Sequence, residues 1–192
     1  MTDKDLAMEI AKGLIVTGVE GGYNAVTESS AGDYPSMGCS QWEGLDGGRG
    51  DILLGYIDGG NYYAGRTYSD IRDSGELGDL AALLASEQGQ AAQQMILAQD
   101  CMEKYLPALR DAGLTESLCI IYAGIWCPTS HYVVNKFLTR RTERGYDIND
   151  LETVRDLFRD QYYVAADVDE KYAEGYANRA NNTYDYVAGL EI

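Results

Sequence analysis

The chain has 192 residues, of which 45% are hydrophobic and 24% charged, as in a globular domain with a sizeable core. Its formal net charge of −16 argues against nucleic acid as a partner, because phosphates would be repelled. The longest apolar run, from Leu118 to Trp126, is too short to cross a bilayer, so we expect no membrane insertion.

The N-terminal half begins with a predicted helix. It starts near Thr2, carries Leu6, Ile10 and Leu14 on one face, and ends around Gly18. Residues 21–48 hold seven glycines and one proline, a composition that favours an irregular β-wing over a helix. We call residues 21–48 the wing.

A short helix is predicted from Arg49 to Ile57, with Ile52, Leu53, Tyr56 and Ile57 facing inward. The remaining apolar periodicity predicts a helical lobe over residues 76–192, with a buried central helix at 118–126 and a last helix at 167–187. We therefore predict a single domain, residues 1–192, that is mainly α: a helical bundle lobe with a small β-wing.

A motif lies where the first helix gives way to the wing. Glu20-Gly21-Gly22-Tyr23 is followed by the segment S-M-G-C-S-Q-W at residues 36–42. This pair of segments resembles the lysozyme-like superfamily, especially the muramidase domains of phage endolysins. The resemblance implies a lysozyme-like α+β fold, a catalytic Glu at the end of a helix, and an S-x-G-x-x-Q segment in the wing that faces it.

Glu20 is the candidate general acid. A carboxyl beside apolar walls has a raised pKa, which suits an acid that must donate a proton near neutral pH. Glycosidic cleavage usually needs a second carboxylate, which activates water or stabilises the sugar cation. The acids of the wing are the candidates for that role: Glu28, Asp33, Glu43 and Asp46. We predict Asp33, three residues before Ser36, although a turn role in A-G-D-Y-P explains it equally well.

Substrate contacts are expected from polar and aromatic residues around this motif. The resemblance implies that Ser36 and Gln41 line the groove opposite the acid. Trp42 either stacks on a sugar ring or anchors the wing in the core. Tyrosine is abundant, with 16 residues, and its amphipathic ring suits carbohydrate. The best placed tyrosines for a groove are Tyr23, Tyr62 and Tyr63.

Two alternative enzymes remain open. The segment from Gln99 to His131 loosely resembles the second lobe of chitosanases, although the wing lacks the D-G-R-G-Y-T-x-G pattern of that family. Polycationic chitosan would be attracted by an acidic protein.

Alternatively, Cys39 and His131 are the nucleophile and base of a thiol amidase or endopeptidase that cuts the wall peptide. A virion or binding protein without enzymatic activity is a third possibility.

Metal chemistry is disfavoured by the residue types. There is one histidine, and the four cysteines show no C-x-x-C spacing, so we expect no metal site and no cofactor. Without the basic and apolar regions of a signal peptide, we expect synthesis in the host cytoplasm and reduced cysteines.

The sequence thus favours a monomeric phage endolysin that acts at the bacterial cell wall. Its partner would be the peptidoglycan glycan strand, cut at the β-1,4 link between N-acetylmuramic acid and N-acetylglucosamine. Because protein and wall are both anionic, we expect recognition to depend on short-range contacts.

Overall fold

The computed structural model describes residues 1–45 and 47–192, and these are mainly helical with one small antiparallel sheet. The strands are β1 (Val26–Glu28), β2 (Pro35–Met37) and β3 (Trp42–Glu43). The α-helices are α1 (Asp3–Val16), α2 (Arg49–Gly55), α3 (Tyr68–Asp73), α4 (Leu77–Ala85), α5 (Glu87–Asp100), α6 (Leu106–Asp111), α7 (Ser117–Thr142), α8 (Leu151–Ala165) and α9 (Ala173–Ala188). The prediction of a mainly α fold with a small β-wing is confirmed.

Helix α1 begins at a capping box. The Thr2 hydroxyl accepts a hydrogen bond from the Asp5 N–H, and the Asp5 carboxylate accepts one from the Thr2 N–H. The predicted apolar face is buried, with Leu6, Ile10 and Leu14 at most 2% exposed. The helix ends at Val16, so Glu20 lies four residues beyond the last helical residue rather than at it.

The wing forms the sheet, with strand order β1-β2-β3. Val26 pairs with Met37 and Glu28 with Pro35, while Ser36 pairs with Glu43 and Met37 with Trp42. The central strand β2 is buried along its whole length. The first and last strands of the wing thus lie on opposite sides of β2, which pairs with both.

Helix α7 supplies the central apolar element that the sequence predicted. Residues 119–127 are all buried. The helix breaks at Ser130, whose φ of −172° and ψ of 107° are extended, two residues after Pro128. Trp126 lies within 5.0 Å, between ring centroids, of both Phe158 and Tyr162 on α8.

Two details of the predicted helices are wrong. Ile52 and Tyr56 are 50% and 49% exposed, because α2 buries the face of Leu53 and Leu54 instead. The last predicted helix does not begin at 167, because Asp167 has a φ of 55°, and a 3₁₀ turn at Glu170–Tyr172 precedes α9.

The contacts divide the chain into two compact units. One comprises Met1–Val19 with Leu97–Ile192, and the other comprises Glu20–Ile96. The first holds α1 and the helices from α6 onwards, and the second holds the wing and α2 to α4. Among the described residues, no helix combines the length and apolarity needed to span a membrane.

Candidate active site

The two halves of the E-G-G-Y and S-x-G-x-x-Q-W motif meet at the base of the wing. The N–H of Gly21, next to Glu20, donates to the carbonyl oxygen of Cys39 at 2.7 Å. The Gly38 N–H donates to Ala25 O at 2.8 Å. Glu20 itself is half-buried. The backbone next to Glu20 therefore contacts the Ser36–Trp42 segment, and the Glu20 carboxylate is close enough for its charge to raise the pKa of Cys39.

A buried glutamine holds this junction in place. Gln93 on α5 is fully buried, and its Oε1 accepts a hydrogen bond from the Cys39 N–H at 2.8 Å. Its Nε2 donates to Tyr23 O at 3.1 Å and to Leu84 O at 2.9 Å. One side chain thus satisfies backbone groups from both halves of the motif and from the end of α4.

Gly38 is the position of the junction at which a side chain would fit least well. Its φ of +75° lies in the left-handed region, which favours glycine. A Cβ atom there would lie 2.6 Å from Gln93 Oε1. The central glycine of S-x-G-x-x-Q is therefore fixed by both its backbone angle and its close approach to Gln93.

Tyr23 is placed by the same helix. Its hydroxyl accepts a hydrogen bond of 2.7 Å from Gln94 Nε2, and its side chain is half-buried. The sequence gives no sign of the roles of Gln93 and Gln94, because glutamines in a helical pattern usually lie on the solvent side.

The candidate second carboxylates occupy different environments. Asp33 is exposed, and its Oδ1 accepts a hydrogen bond of 2.9 Å from the Ser69 N–H, in the first turn of α3. Asp33 therefore satisfies an N–H in the first turn of α3, whose N-cap residue is Thr67. Glu28 is also exposed.

Glu43 lies opposite Ser36 in the sheet, and among the described residues its Oε2 is buried without a hydrogen-bond partner. Asp46 lies outside the described residues.

Some of the residues expected to contact substrate are buried, and others are exposed to solvent. Ser36 is 5% exposed and donates to Gln41 O at 3.1 Å, while Trp42 is 6% and Tyr63 9% exposed. For Trp42, this burial favours the anchoring role over stacking on a sugar. Gln41 is exposed, with a left-handed φ of 51° that turns the chain between β2 and β3.

Tyr62 presents the most ring surface of the candidate tyrosines, at 60% exposed. Its hydroxyl donates to Glu76 at 2.8 Å, and the Arg66 guanidinium lies 4.8 Å from its ring centroid. Arg66 also forms an ion pair with Glu76 at 2.7 Å. The ring is thus held in one orientation, with its polar end already satisfied.

Cys39 is in an environment that disfavours a thiolate. It is 1% exposed, and burial, followed by the negative charge of Glu20, raises its pKa to about 12. A nucleophilic cysteine needs the opposite shift. His131 packs against the rings of Tyr105 and Tyr132. All four cysteines are buried, and none of them forms a disulfide among the described residues.

Comparisons with family models, with curated proteins and with solved structures gave no match. The resemblance to lysozyme-like enzymes therefore depends on the motif residues. Among the described residues, no group of three or more His, Cys, Asp or Glu side chains is arranged to hold a metal ion.

Proposed function

We propose that this chain is a lysozyme-like muramidase, a phage endolysin that hydrolyses the β-1,4 link between N-acetylmuramic acid and N-acetylglucosamine. The observation that carries the proposal is the junction of the two motif halves. Glu20 lies half-buried against the Ser36–Trp42 segment, and the hydrogen bond from Gly21 to Cys39 closes that junction.

Glu20 would act as the general acid. It donates its proton to the leaving glycosidic oxygen as the bond to the anomeric carbon breaks. A general acid must be held firmly, since small displacements from the reacting oxygen cost large factors in rate. The buried Gln93 hydrogen bonds at Cys39 and Tyr23 supply that rigidity on either side of the motif.

The second carboxylate is better sought at Glu43 than at Asp33. Asp33 already accepts a hydrogen bond at the start of α3, which explains its position without catalysis. Glu43 shares a sheet pair with Ser36 and has a buried oxygen without a protein partner among the described residues. Buried polar atoms are normally satisfied, so the fold alone does not explain this carboxyl, and we propose a bound water as the partner of its buried oxygen.

Digestion of purified sacculi tests the proposal. New reducing sugar ends indicate a glycosidase, whereas new free amino groups without reducing ends would refute it in favour of a peptidase or amidase. Glu20→Gln keeps the side-chain size but removes the acid, so release of reducing ends should fall by about 10² or more. Glu143→Gln, at an exposed glutamate just after α7, is the matched control and should act like wild type.

The chitosanase alternative is tested in the same assay with chitosan as substrate. The net charge of −16 favours a polycationic substrate at long range. Hydrolysis of chitosan but not of sacculi would replace the muramidase proposal, while keeping Glu20 as the acid.

A further inference from the structure

A basic groove lies between the C-terminal part of α7 and the second half of α8. Its volume is about 600 Å³. The residues that line it include four cations, namely Lys136, Arg140, Arg141 and Arg144. The chain has only 15 lysines and arginines and a net charge of −16, so four cations within nine residues form an unusual local concentration.

Arg141 is the central group of the groove. It is 8% exposed, its guanidinium carbon lies 4.7 Å from the Phe137 ring centroid, and its Nε is buried without a hydrogen-bond partner among the described residues. Burial and the nearby charge of Arg144 lower its pKa. A buried, unpaired cation is costly, and residues of this kind are normally satisfied by an acceptor.

The four cations of the groove are not paired with acids of the described residues. Over the described part of the chain, none of the four cations forms an ion pair within 4.0 Å. Asp160 also lines the groove, but both its oxygens accept hydrogen bonds from Arg159, at 2.7 and 2.8 Å. Within the described chain, the groove therefore has four cations without an ion-pair partner, and its one acid is already bound to Arg159.

The helix dipole explains only part of this arrangement. Cations in the last turn of a helix are stabilised by its C-terminal dipole, which accounts for Arg140 and Arg141. It does not account for the burial of Arg141, nor for Lys136, which precedes the last turn. A ligand that brings negative charge into the groove accounts for both.

We propose that the basic groove binds a phosphate group. A carboxylate offers two oxygens in one plane, which a single guanidinium satisfies, whereas a phosphate offers more oxygens and up to two charges. Several cations around one cavity match the phosphate better. This proposal is independent of the muramidase proposal, because it involves other residues and is tested by binding alone.

Isothermal titration calorimetry with inorganic phosphate tests it on the full chain. We expect binding to wild type, and weakening of about tenfold or more in the double variant Arg140→Gln/Arg144→Gln, which removes two charge-assisted contacts. Both residues are exposed, so the variant should fold. The matched control is Arg72→Gln/Lys171→Gln, which makes the same charge change at exposed residues elsewhere and should bind like wild type.

Arg141→Met separates a binding role from a structural one. Replacing a buried, unpaired cation by an apolar side chain should leave the unfolding midpoint unchanged or raise it, while phosphate binding is lost. A large fall in the midpoint with binding retained would overturn the proposal.

Binding measurements with two anionic polymers distinguish a phosphodiester polymer from free phosphate as the ligand of the groove. Tighter binding of poly(glycerol phosphate) than of inorganic phosphate assigns the groove to phosphodiester polymers, and the reverse order assigns it to free phosphate. Equal binding of polyglutamate and poly(glycerol phosphate), or no phosphate binding at about 10 mM, would refute the proposal.

Discussion

The side-chain carbonyl of Gln93 accepts a hydrogen bond of 2.8 Å from the backbone N–H of Cys39. This contact joins residues 54 positions apart in sequence and is fully buried. Through it, a residue that lies outside the motif fixes the backbone of the S-x-G-x-x-Q-W segment beside Glu20. The organisation of the candidate site therefore depends on α5 as much as on the wing.

Replacing Gln93 with leucine should destabilise the protein strongly. The change leaves the Cys39 N–H and the carbonyls of Tyr23 and Leu84 without their partner in a buried site, and we expect a loss of about 2–4 kcal/mol. Gln94→Leu is the control. It removes one bond, to the half-buried Tyr23 hydroxyl, and should cost about 1 kcal/mol or less. Urea unfolding curves of both variants measure the difference, and equal losses would contradict the assigned role of Gln93.

Gly38→Ala should be more harmful than Gly65→Ala. Both glycines have a left-handed φ, +75° and +71°, which costs an alanine about 1–2 kcal/mol. Only at Gly38 would the new Cβ also meet an atom, Gln93 Oε1 at 2.6 Å, while nothing lies within 4 Å at Gly65. We expect the Gly38 variant to lose at least about 1 kcal/mol more in thermal or urea unfolding. Identical unfolding midpoints would show that the junction relaxes freely.

The two candidate second carboxylates can be separated by amide substitutions. Asp33→Asn keeps an oxygen that can accept from Ser69, so activity should stay close to wild type with a small loss of stability. Glu43→Gln removes the charge next to Ser36 and should lower the rate of sacculus hydrolysis by about tenfold or more. The reverse pattern would restore the sequence-based prediction of Asp33.

Substitutions of Cys39 and His131 distinguish the glycosidase proposal from a thiol mechanism, which requires both side chains for activity. Because the Cys39 thiol is buried and protonated, Cys39→Ser and His131→Ala should each retain substantial lysis. Turbidity loss of purified walls is the readout. If both variants fold but lose all activity, the glycosidase proposal fails and the amidase alternative replaces it.

The pH dependence of stability provides a further check on Cys39. Its pKa is raised from 9.0 to about 12, so the folded state holds the proton more tightly than the unfolded chain does. The resulting stabilisation is complete below pH 9.0 and is lost as the pH rises toward about 12. The difference in unfolding free energy between wild type and Cys39→Ala should shrink across this window. The difference between wild type and Ser40→Ala should not, since serine does not titrate there.

The sequence predicted those elements whose signal is local. The face of Leu6, Ile10 and Leu14 predicted α1, and the glycine-rich composition predicted the wing. The apolar run in α7 predicted a buried helix, and residues 119–127 are buried. Each of these follows from periodicity or composition within some 20 residues.

The features that the sequence did not indicate depend on long-range placement. That Asp33 accepts a hydrogen bond in the first turn of α3 depends on where Ser69 lies, and a turn residue carries no sign of that. The burial of Gln93 and of Arg141 was equally invisible, because both occupy helical positions where a polar residue normally faces solvent. The local density of cations at residues 136–144 was the one available sign of the basic groove.

The contact between Ile10 on α1 and Gly124 on α7 has a consequence for folding during synthesis. A Cβ at Gly124 would lie 2.5 Å from Ile10 Cδ1, so the two helices are in close contact. The ribosome makes α1 first, yet its partner follows more than a hundred residues later, whereas residues 20–96 form one continuous compact unit. The apolar face of α1 therefore has no α7 to pack against during most of synthesis. We expect it to stay accessible to chaperones while the residues of the wing and its helices have all been synthesised.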